Sequence, residues 1–159
     1  MELKIGTHKV LCVLAALMVM AACSNIDDFV AEGDKTGHEV AYEVAKNYFF
    51  KNNQEIPASP KITTAEEFGK LFGMATTMGE EGKPTEIDFT KQFVLAIVLP
   101  VTEYATEIKP VKVTEKGDSL LYTFEVKKGE KLTYSIQPIS IIILDKKYEN
   151  KKVCQAPGS

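Results

Sequence analysis

Histidine and cysteine, the side chains best suited to nucleophilic and acid–base catalysis, are scarce in this sequence. Beyond residue 23 they are represented by His38 and Cys154 alone. A Ser-His-Asp or Cys-His arrangement would have to use His38, and nothing near it in the sequence orients its ring. One histidine and one cysteine so far apart also lack the spacing of a metal site. The sequence therefore predicts no catalytic residue, metal or cofactor, and we expect a protein that is not an enzyme.

The charged residues argue against nucleotide and nucleic-acid partners. The 19 residues counted as lysine or arginine are all lysines, so the bidentate clamps that arginine makes with phosphate are missing. No glycine-rich phosphate loop follows a predicted strand. The net charge of -3 gives no sign of a clustered basic face for nucleic acid. Adjacent carboxylates occur at Glu66–Glu67 and Glu80–Glu81, and we interpret both pairs as solvent-facing.

The first 23 residues have the features of an export signal. Lys4 and Lys9 precede the apolar run Val10–Met20, which is too short to span a membrane. The sequence Met20-Ala21-Ala22-Cys23 resembles a bacterial lipobox, with Met where Leu is usual. This resemblance implies that residues 1–22 are removed and that Cys23 becomes a lipid-modified N-terminus at the outer membrane. The alternative is an ordinary secretory signal with an incidental cysteine.

The remaining chain divides into a tether, a domain and a tail. Residues 23–35 are polar and acidic, and we interpret them as a flexible tether. The pair Asp27–Asp28 resembles the acidic export signal of surface lipoproteins in Bacteroidetes-like bacteria, so either face of the outer membrane stays open. Residues 36–150 are predicted to form a single monomeric domain, and residues 151–159 a C-terminal tail. Cys154 is then either a reactive thiol beside two lysines or a cysteine of no consequence.

Two helices are predicted at the start of the domain. Thr36 and Glu39 stand in capping-box spacing. Apolar residues then recur at helical spacing, namely Val40, Ala41, Val44, Ala45, Tyr48 and Phe49. A second helix is expected to begin at Thr63 or Thr64. Its predicted buried face consists of Phe68, Leu71, Phe72 and Ala75.

From Ile87 onward the apolar pattern becomes that of β-strands. Five strands are predicted, at residues 93–99, 106–113, 120–126, 132–136 and 139–144, and the first reads as a central strand covered on both faces. Gly117–Asp118 and Lys128–Gly129 are the predicted turns. Pro110 lacks an N–H donor, so its strand should lie at an edge or carry a bulge. The predicted fold class is α+β, with two N-terminal helices packed on a mostly antiparallel sheet of about five strands.

Several motifs between residues 62 and 146 together point to a known family. They are Glu66, Phe68 and Leu71 of the second helix, Ile87-Asp88-Phe89 before the strand Val94–Leu99, Tyr104, Ile108–Val113, and Pro138–Ile141. With these motifs the stretch resembles the C-terminal domain of PrcB-like subunits, lipoproteins that accompany a surface protease complex. One departure is the loop at residues 100–105, where the family usually has a glycine-rich turn.

The resemblance implies a cell-envelope binding module that inhibits a protease or serves as its accessory subunit. The segment Glu39–Phe50 is also similar to the opening helix of streptopain-type propeptides and their free-standing inhibitors. Two loops are candidates for partner contact. One carries Met74 and Met78, and the other carries Thr102, Glu103 and Tyr104.

A different class of function remains open from the sequence. The chain would then be a non-enzymatic envelope lipoprotein that binds a glycan or a small hydrophobic ligand, or one with a purely structural role. A pocket lined by Tyr122, Phe124 and Tyr134 would favour ligand binding, whereas close packing of those rings against the helices would argue against it.

Overall fold

The computed structural model describes residues 37–79 and 82–158. The predicted signal peptide at 1–22, the lipidation site Cys23, the tether at 23–35 and the Glu80–Glu81 pair lie outside the described residues. Within the described residues, no helix is both long enough and apolar enough to cross a membrane.

Strands make up most of the described chain. In chain order the elements are β1 (His38–Val40), β2 (Glu43–Ala45), β3 (Tyr48–Phe50), β4 (Lys61–Ile62), α1 (Ala65–Leu71), β5 (Phe72–Met74), β6 (Gln92–Val98), β7 (Thr102–Lys116), β8 (Ser119–Ile136), β9 (Ile139–Asp145), a short 3-10 turn (Lys146–Tyr148) and β10 (Lys152–Pro157). The chain is therefore mostly β, with a single α-helix among the described residues.

The strands form two four-stranded sheets and one separate pair. Sheet A has the order β1-β7-β8-β10, and sheet B has the order β2-β9-β6-β4. Strands β3 and β5 pair with each other outside these sheets. All pairings are antiparallel except that of β10, which runs parallel to β8.

Sheet B is covered on both faces because its two central strands are apolar at nearly every position. Alternate residues of a strand point to opposite faces. One face, which includes Phe93, Leu95 and Ile142, packs against sheet A in the core between the sheets. The other face, which includes Val94 and Ile143, packs against residues of α1, β3 and β5 in a second core. The prediction of a fully covered central strand is confirmed for β6.

The predicted α+β fold with two N-terminal helices is wrong. The segment predicted as the first helix forms the three short strands β1, β2 and β3, and Asn47 between the last two has a φ of 62°. A left-handed residue cannot continue a right-handed helix. Of the predicted helical stripe, Val40 is buried between the sheets, whereas Val44 and Phe49 are exposed. Pairing with distant strands has overridden the local periodicity.

The second predicted helix exists but is short. Thr64 caps α1, accepting a hydrogen bond of 3.2 Å from the backbone N–H of Glu67 through its side-chain hydroxyl. The helix ends at Leu71, and Phe72 already belongs to β5. Phe68 and Phe72 are buried as predicted, at 7% and 3% exposure.

The strands β7 and β8 form one long hairpin. Gly117 in its two-residue turn has a φ of 55°, which glycine adopts without strain, so the predicted turn at Gly117–Asp118 is confirmed. The predicted turn at Lys128–Gly129 is wrong, because β8 runs through it without a break. The pairing register shifts between Pro110 and Lys112, so the predicted alternative of a bulge near Pro110 is confirmed.

The segment predicted as a tail contains a strand of sheet A. Strand β10 pairs with β8 from Ser119 to Phe124. The Lys151 ammonium lies 2.7 Å from a Glu115 carboxylate oxygen and donates to the Gly117 carbonyl at 2.6 Å. Residues 152–157 are therefore part of the folded domain, held beside the turn of the β7–β8 hairpin.

Candidate functional site

The open end of the β7–β8 hairpin extends beyond the rest of sheet A. Strand β1 pairs with β7 only from Val113 to Glu115, and β10 pairs with β8 only as far as Phe124. Residues 102–111 of β7 and 125–136 of β8 therefore form a two-stranded segment, which we call the ribbon. None of its residues from 102 to 107 or from 125 to 136 is buried. Ile108, nearer the closed end, is still buried in the core between the sheets, so residues 102–107 and 125–136 are the accessible part of the ribbon.

The predicted contact residues Thr102, Glu103 and Tyr104 all lie on this ribbon. They belong to β7, although the sequence placed them in a loop. The Tyr104 side chain is 36% exposed, and the Lys128 ammonium lies 3.6 Å from the centroid of its ring. The Glu103 carboxylate lies 3.2 Å from the Lys131 ammonium. These two contacts join the strands through side chains as well as through the backbone.

The pairing register shifts twice in this part of the ribbon, between Thr102 and Tyr104 and between Tyr104 and Thr106. Tyr104 pairs with Lys131, and Thr106 pairs with Lys128. Between these two pairs β8 advances by three residues while β7 advances by two, so β8 carries one extra residue. Gly129 lies in the extra length, where a Cβ atom would be 3.2 Å from the Ala105 carbonyl oxygen. This approach leaves little room for a side chain at a position that the sequence suggested as a turn.

A groove of about 470 Å³ runs along the ribbon. Its lining includes the apolar side chains Leu132, Tyr134 and Ile136, together with Lys127, Lys128 and Glu107. Tyr134 is 63% exposed. Half of the large apolar side chains that are exposed in the described chain lie on the ribbon or directly before it, namely Val101, Tyr104, Val111, Val126 and Tyr134. The ribbon therefore combines apolar contact area with exposed charge.

The other two predicted contact residues lie elsewhere. Met74 belongs to β5 and is 69% exposed, and Met78 lies fully exposed in the following loop. Met74 lines a separate cleft beside α1, and that cleft shares no lining residue with the ribbon groove. The structure thus brings Thr102, Glu103 and Tyr104 together on the ribbon. Neither methionine lines the ribbon groove, and Met78 does not line the cleft that contains Met74.

The pocket suggested by Tyr122, Phe124 and Tyr134 does not form. Tyr122 and Phe124 are buried in the core between the two sheets, at 0% and 6% exposure, and Tyr134 lies on the ribbon. The two buried rings pack against each other with centroids 5.6 Å apart. These positions place the two rings in the core, where they do not line a ligand site.

The candidate catalytic side chains are not brought together. His38 is exposed in β1, and Cys154 is buried in β10, at 7% exposure. Within residues 37–79 and 82–158, no three or more His, Cys, Asp or Glu side chains are grouped so that they could hold a metal ion. Burial of Cys154 argues against the open alternative of a reactive tail thiol.

The two lysines that accompany Tyr104 were not predicted as contact residues from the sequence. Lys128 was predicted to form a turn with Gly129, and Lys131 had no predicted role, although the two lysines face Thr106 and Tyr104 across the ribbon. A usable signal was the run of five residues without an apolar side chain at positions 127–131, inside an otherwise alternating strand. Such a run is typical of a strand that leaves the covered part of a sheet.

Comparison with protein-family models, with curated proteins and with solved structures gives no match for this chain. The fold and the geometry of the ribbon are therefore the basis for a functional proposal.

Proposed function

We propose that this chain is a cell-envelope lipoprotein that binds another protein through the ribbon, and that this partner is a protease. The observation that carries the proposal is the ribbon itself, which is unburied along residues 102–107 and 125–136. The apolar residues of this part, such as Leu132 and Tyr134, are half-buried or exposed, whereas Ile108 and alternate apolar residues toward the closed end of the same hairpin are buried. An apolar and aromatic surface of this kind fits a protein partner.

The conformation of the ribbon is already restricted in the unbound chain. Cross-strand backbone pairing, the Tyr104–Lys128 contact and the Glu103–Lys131 ion pair restrict its side chains. Both side-chain contacts are exposed, so each contributes little to stability. Their effect is to hold the contact residues in place, which lowers the entropy cost of association.

The envelope location and the protease class come from the sequence. The lipobox-like Met20-Ala21-Ala22-Cys23 supports a lipid anchor, and the resemblance between residues 62–146 and PrcB-like subunits supports a protease partner. A binding role, inhibitory or accessory, requires no catalytic group in this chain. In this proposal the ribbon binds the partner, and the partner carries the catalytic residues.

Affinity capture from the cells that produce the chain tests this proposal. The purified chain lacking residues 1–23 is immobilised, incubated with a detergent extract of those cells, and the retained proteins are identified by mass spectrometry. We expect a peptidase to be enriched over a column without the chain. The Tyr104→Ala chain should retain at least about fivefold less of it, because an exposed tyrosine that anchors an interface contributes on the order of 1 kcal/mol or more.

A matched control is available in Phe49→Ala. Phe49 is an aromatic residue with 47% exposure on β3, and it lines neither the ribbon groove nor the cleft beside α1. Its truncation should leave peptidase capture unchanged. Enrichment of no peptidase, or equal capture by the Tyr104→Ala chain, would overturn the proposal.

A further inference from the structure

Both long edges of the ribbon lack a neighbouring strand within the described chain. Strand β1 covers β7 only at residues 113–115, and β10 covers β8 only at residues 119–124. On the β8 side this cover ends where the Gly158 N–H donates to the Phe124 carbonyl at 2.6 Å. An open strand edge presents backbone N–H and C=O groups to which another strand can bind.

The two edges differ in their capacity to accept a strand. Strand β7 carries Pro110, which has no N–H to donate, and its pairing register shifts directly after this residue. Residues 125–136 of β8 contain no proline. Three lysines lie within residues 127–131, and lysine protects strand edges from unwanted pairing. Residues 132–136, which we call the edge segment, are uncharged and include Thr, Tyr and Ile, which favour strands.

The edge segment is also incompletely paired with β7. Thr102 pairs with Ile136 and Tyr104 pairs with Lys131, so the four residues 132–135 of β8 lie opposite Glu103 alone. Those four residues carry four N–H and four C=O groups, whereas one residue of β7 offers one of each. Residues 132–135 take no part in the turn, loop and side-chain hydrogen bonds of the described chain. The segment therefore has backbone groups available for another strand.

The side chains of the edge segment determine what an added strand must carry. Leu132, Tyr134 and Ile136 alternate along β8 and line the ribbon groove of about 470 Å³. Tyr134 is 63% exposed, and the other two are half-buried. A strand added beside β8 places its own alternate residues next to these three side chains. Apolar residues at every second position of the added strand would therefore be buried in the groove.

We propose that the edge segment binds an extended stretch of the partner protein as an additional β-strand, with apolar side chains at alternate positions. This strand belongs to the protein that the ribbon contacts, so the inference rests on the proposed function. Lys131, directly before the edge segment, pairs with Tyr104, so an added strand continues the contact surface proposed for that partner. In this mode, backbone hydrogen bonds supply affinity and the groove selects the side chains.

Hydrogen exchange of the backbone amides tests this mode of binding. Exchange in the purified chain is followed by mass spectrometry, for the chain alone and with a saturating amount of the captured peptidase. The amides of residues 132–136 should exchange at least about tenfold more slowly in the complex, because new backbone hydrogen bonds must open before exchange. Residues 119–124, which β10 already covers, should exchange at the same rate in both samples and serve as the internal control.

Proline substitutions separate backbone contacts from side-chain contacts. Neighbouring residues of a strand point their N–H groups to opposite edges, so Thr133→Pro is compared with Thr133→Ala, and Tyr134→Pro with Tyr134→Ala. At one of the two positions, proline should weaken binding of the peptidase at least about tenfold more than alanine does, because it removes a backbone donor. At the other position the two variants should bind alike. Thermal melting of each variant checks that it is folded.

The outcomes distinguish this inference from the proposed function. Unchanged exchange at residues 132–136 in a complex that does form would overturn the inference and leave the proposed function standing. Equal effects of proline and alanine at both positions, or an equal excess loss from proline at both, would do the same. Slow exchange of residues 132–136 in the chain alone, with a dimer in sedimentation, would assign the edge to a second copy and also overturn it. If no peptidase binds, the proposed function fails and the inference fails with it.

Discussion

The hydroxyl groups of the buried Tyr122 and the half-buried Tyr48 differ in their hydrogen bonding. The Tyr122 hydroxyl lies in the core between the sheets and has no hydrogen-bond partner within the described chain, although Ser140 is near it. The Tyr48 hydroxyl donates to the Thr85 carbonyl at 2.6 Å. An unpaired buried hydroxyl costs free energy that a paired one does not.

Replacing each tyrosine by phenylalanine should therefore have different results. Tyr122→Phe should leave the free energy of unfolding unchanged or raise it by about 1 kcal/mol, because it removes an unpaired polar group. Tyr48→Phe should lower it by about 1 kcal/mol, because it leaves the Thr85 carbonyl without this donor. Urea unfolding followed by circular dichroism measures both. A loss of more than about 1 kcal/mol in Tyr122→Phe would mean that its hydroxyl is satisfied in solution.

The ionisation of Tyr122 should also make the free energy of unfolding depend on pH in the alkaline range. Burial raises the pKa of Tyr122 from 10.0 to about 12. Below pH 10 the phenol is protonated in both folded and unfolded chains, so its contribution to stability is fully present there. As the pH rises from 10 through about 12, the unfolded chain ionises first, and that contribution is lost.

The measurable quantity is the difference between the unaltered chain and Tyr122→Phe. Between pH 9 and pH 12 the unaltered chain should lose about 2 kcal/mol more unfolding free energy, at 1.36 kcal/mol per pKa unit. The comparison cancels the titration of the lysines and of the other tyrosines. Parallel pH profiles for the two chains would contradict the burial of this phenol.

At the scale of elements, the segment from residue 38 to residue 50 is the most instructive. Its apolar residues fit a helical stripe, yet each piece of it pairs with a different strand: β1 with β7, β2 with β9 and β3 with β5. These partners lie far along the sequence, so no local pattern announces them. The one local feature that separates β2 from β3 is Asn47, which has a left-handed backbone conformation with a φ of 62°.

Substitutions of Asn47 distinguish strands from a helix. Asn47→Ala should lower the unfolding free energy by about 1–2 kcal/mol, because alanine resists a positive φ and loses the side-chain bond to the Lys83 carbonyl. Asn47→Gly should cost about 1 kcal/mol less than alanine, since glycine tolerates this φ. A helix would give the opposite order, because alanine is the best helix former and glycine among the poorest. Denaturant unfolding of the two variants decides the order.

Other elements were open to prediction because their signals are local. The continuous apolar run of β6, the turn at Gly117–Asp118 and the cap at Thr64 each depend on neighbouring residues. Strand β10 was not predictable, because it is short, polar in part, and becomes a strand only by pairing with β8. The cleft beside α1 was equally hidden, since its lining comes from segments around residues 48, 68 and 87.

At the scale of the whole molecule, sheet B joins two cores into one structure. Ile97 of β6 faces the core between the sheets, and its neighbour Val98 faces the core beside α1. A change in either core therefore acts on the same strands. We expect the described chain to unfold in a single cooperative transition.

Truncation of core residues on each side tests this coupling. Phe72→Ala, Ile97→Ala and Phe124→Ala should each lower the unfolding free energy by about 2–5 kcal/mol, because all three are at most 6% exposed. Phe72 lies in the core beside α1 and the other two lie between the sheets. Each variant should still show one transition by both fluorescence and circular dichroism. Val44→Ala, at an exposed position, should change the value by less than about 0.5 kcal/mol. Two separate transitions would contradict a shared sheet.

We propose above that the ribbon is the surface that contacts a protein partner. The most direct test is the dissociation constant between the purified chain and the captured peptidase, measured by surface plasmon resonance for the unaltered chain, Tyr104→Ala and Phe49→Ala. We expect a dissociation constant at least about fivefold larger for Tyr104→Ala and one within about twofold of the unaltered value for Phe49→Ala. Equal affinity of all three chains, or a loss confined to Phe49→Ala, would contradict it.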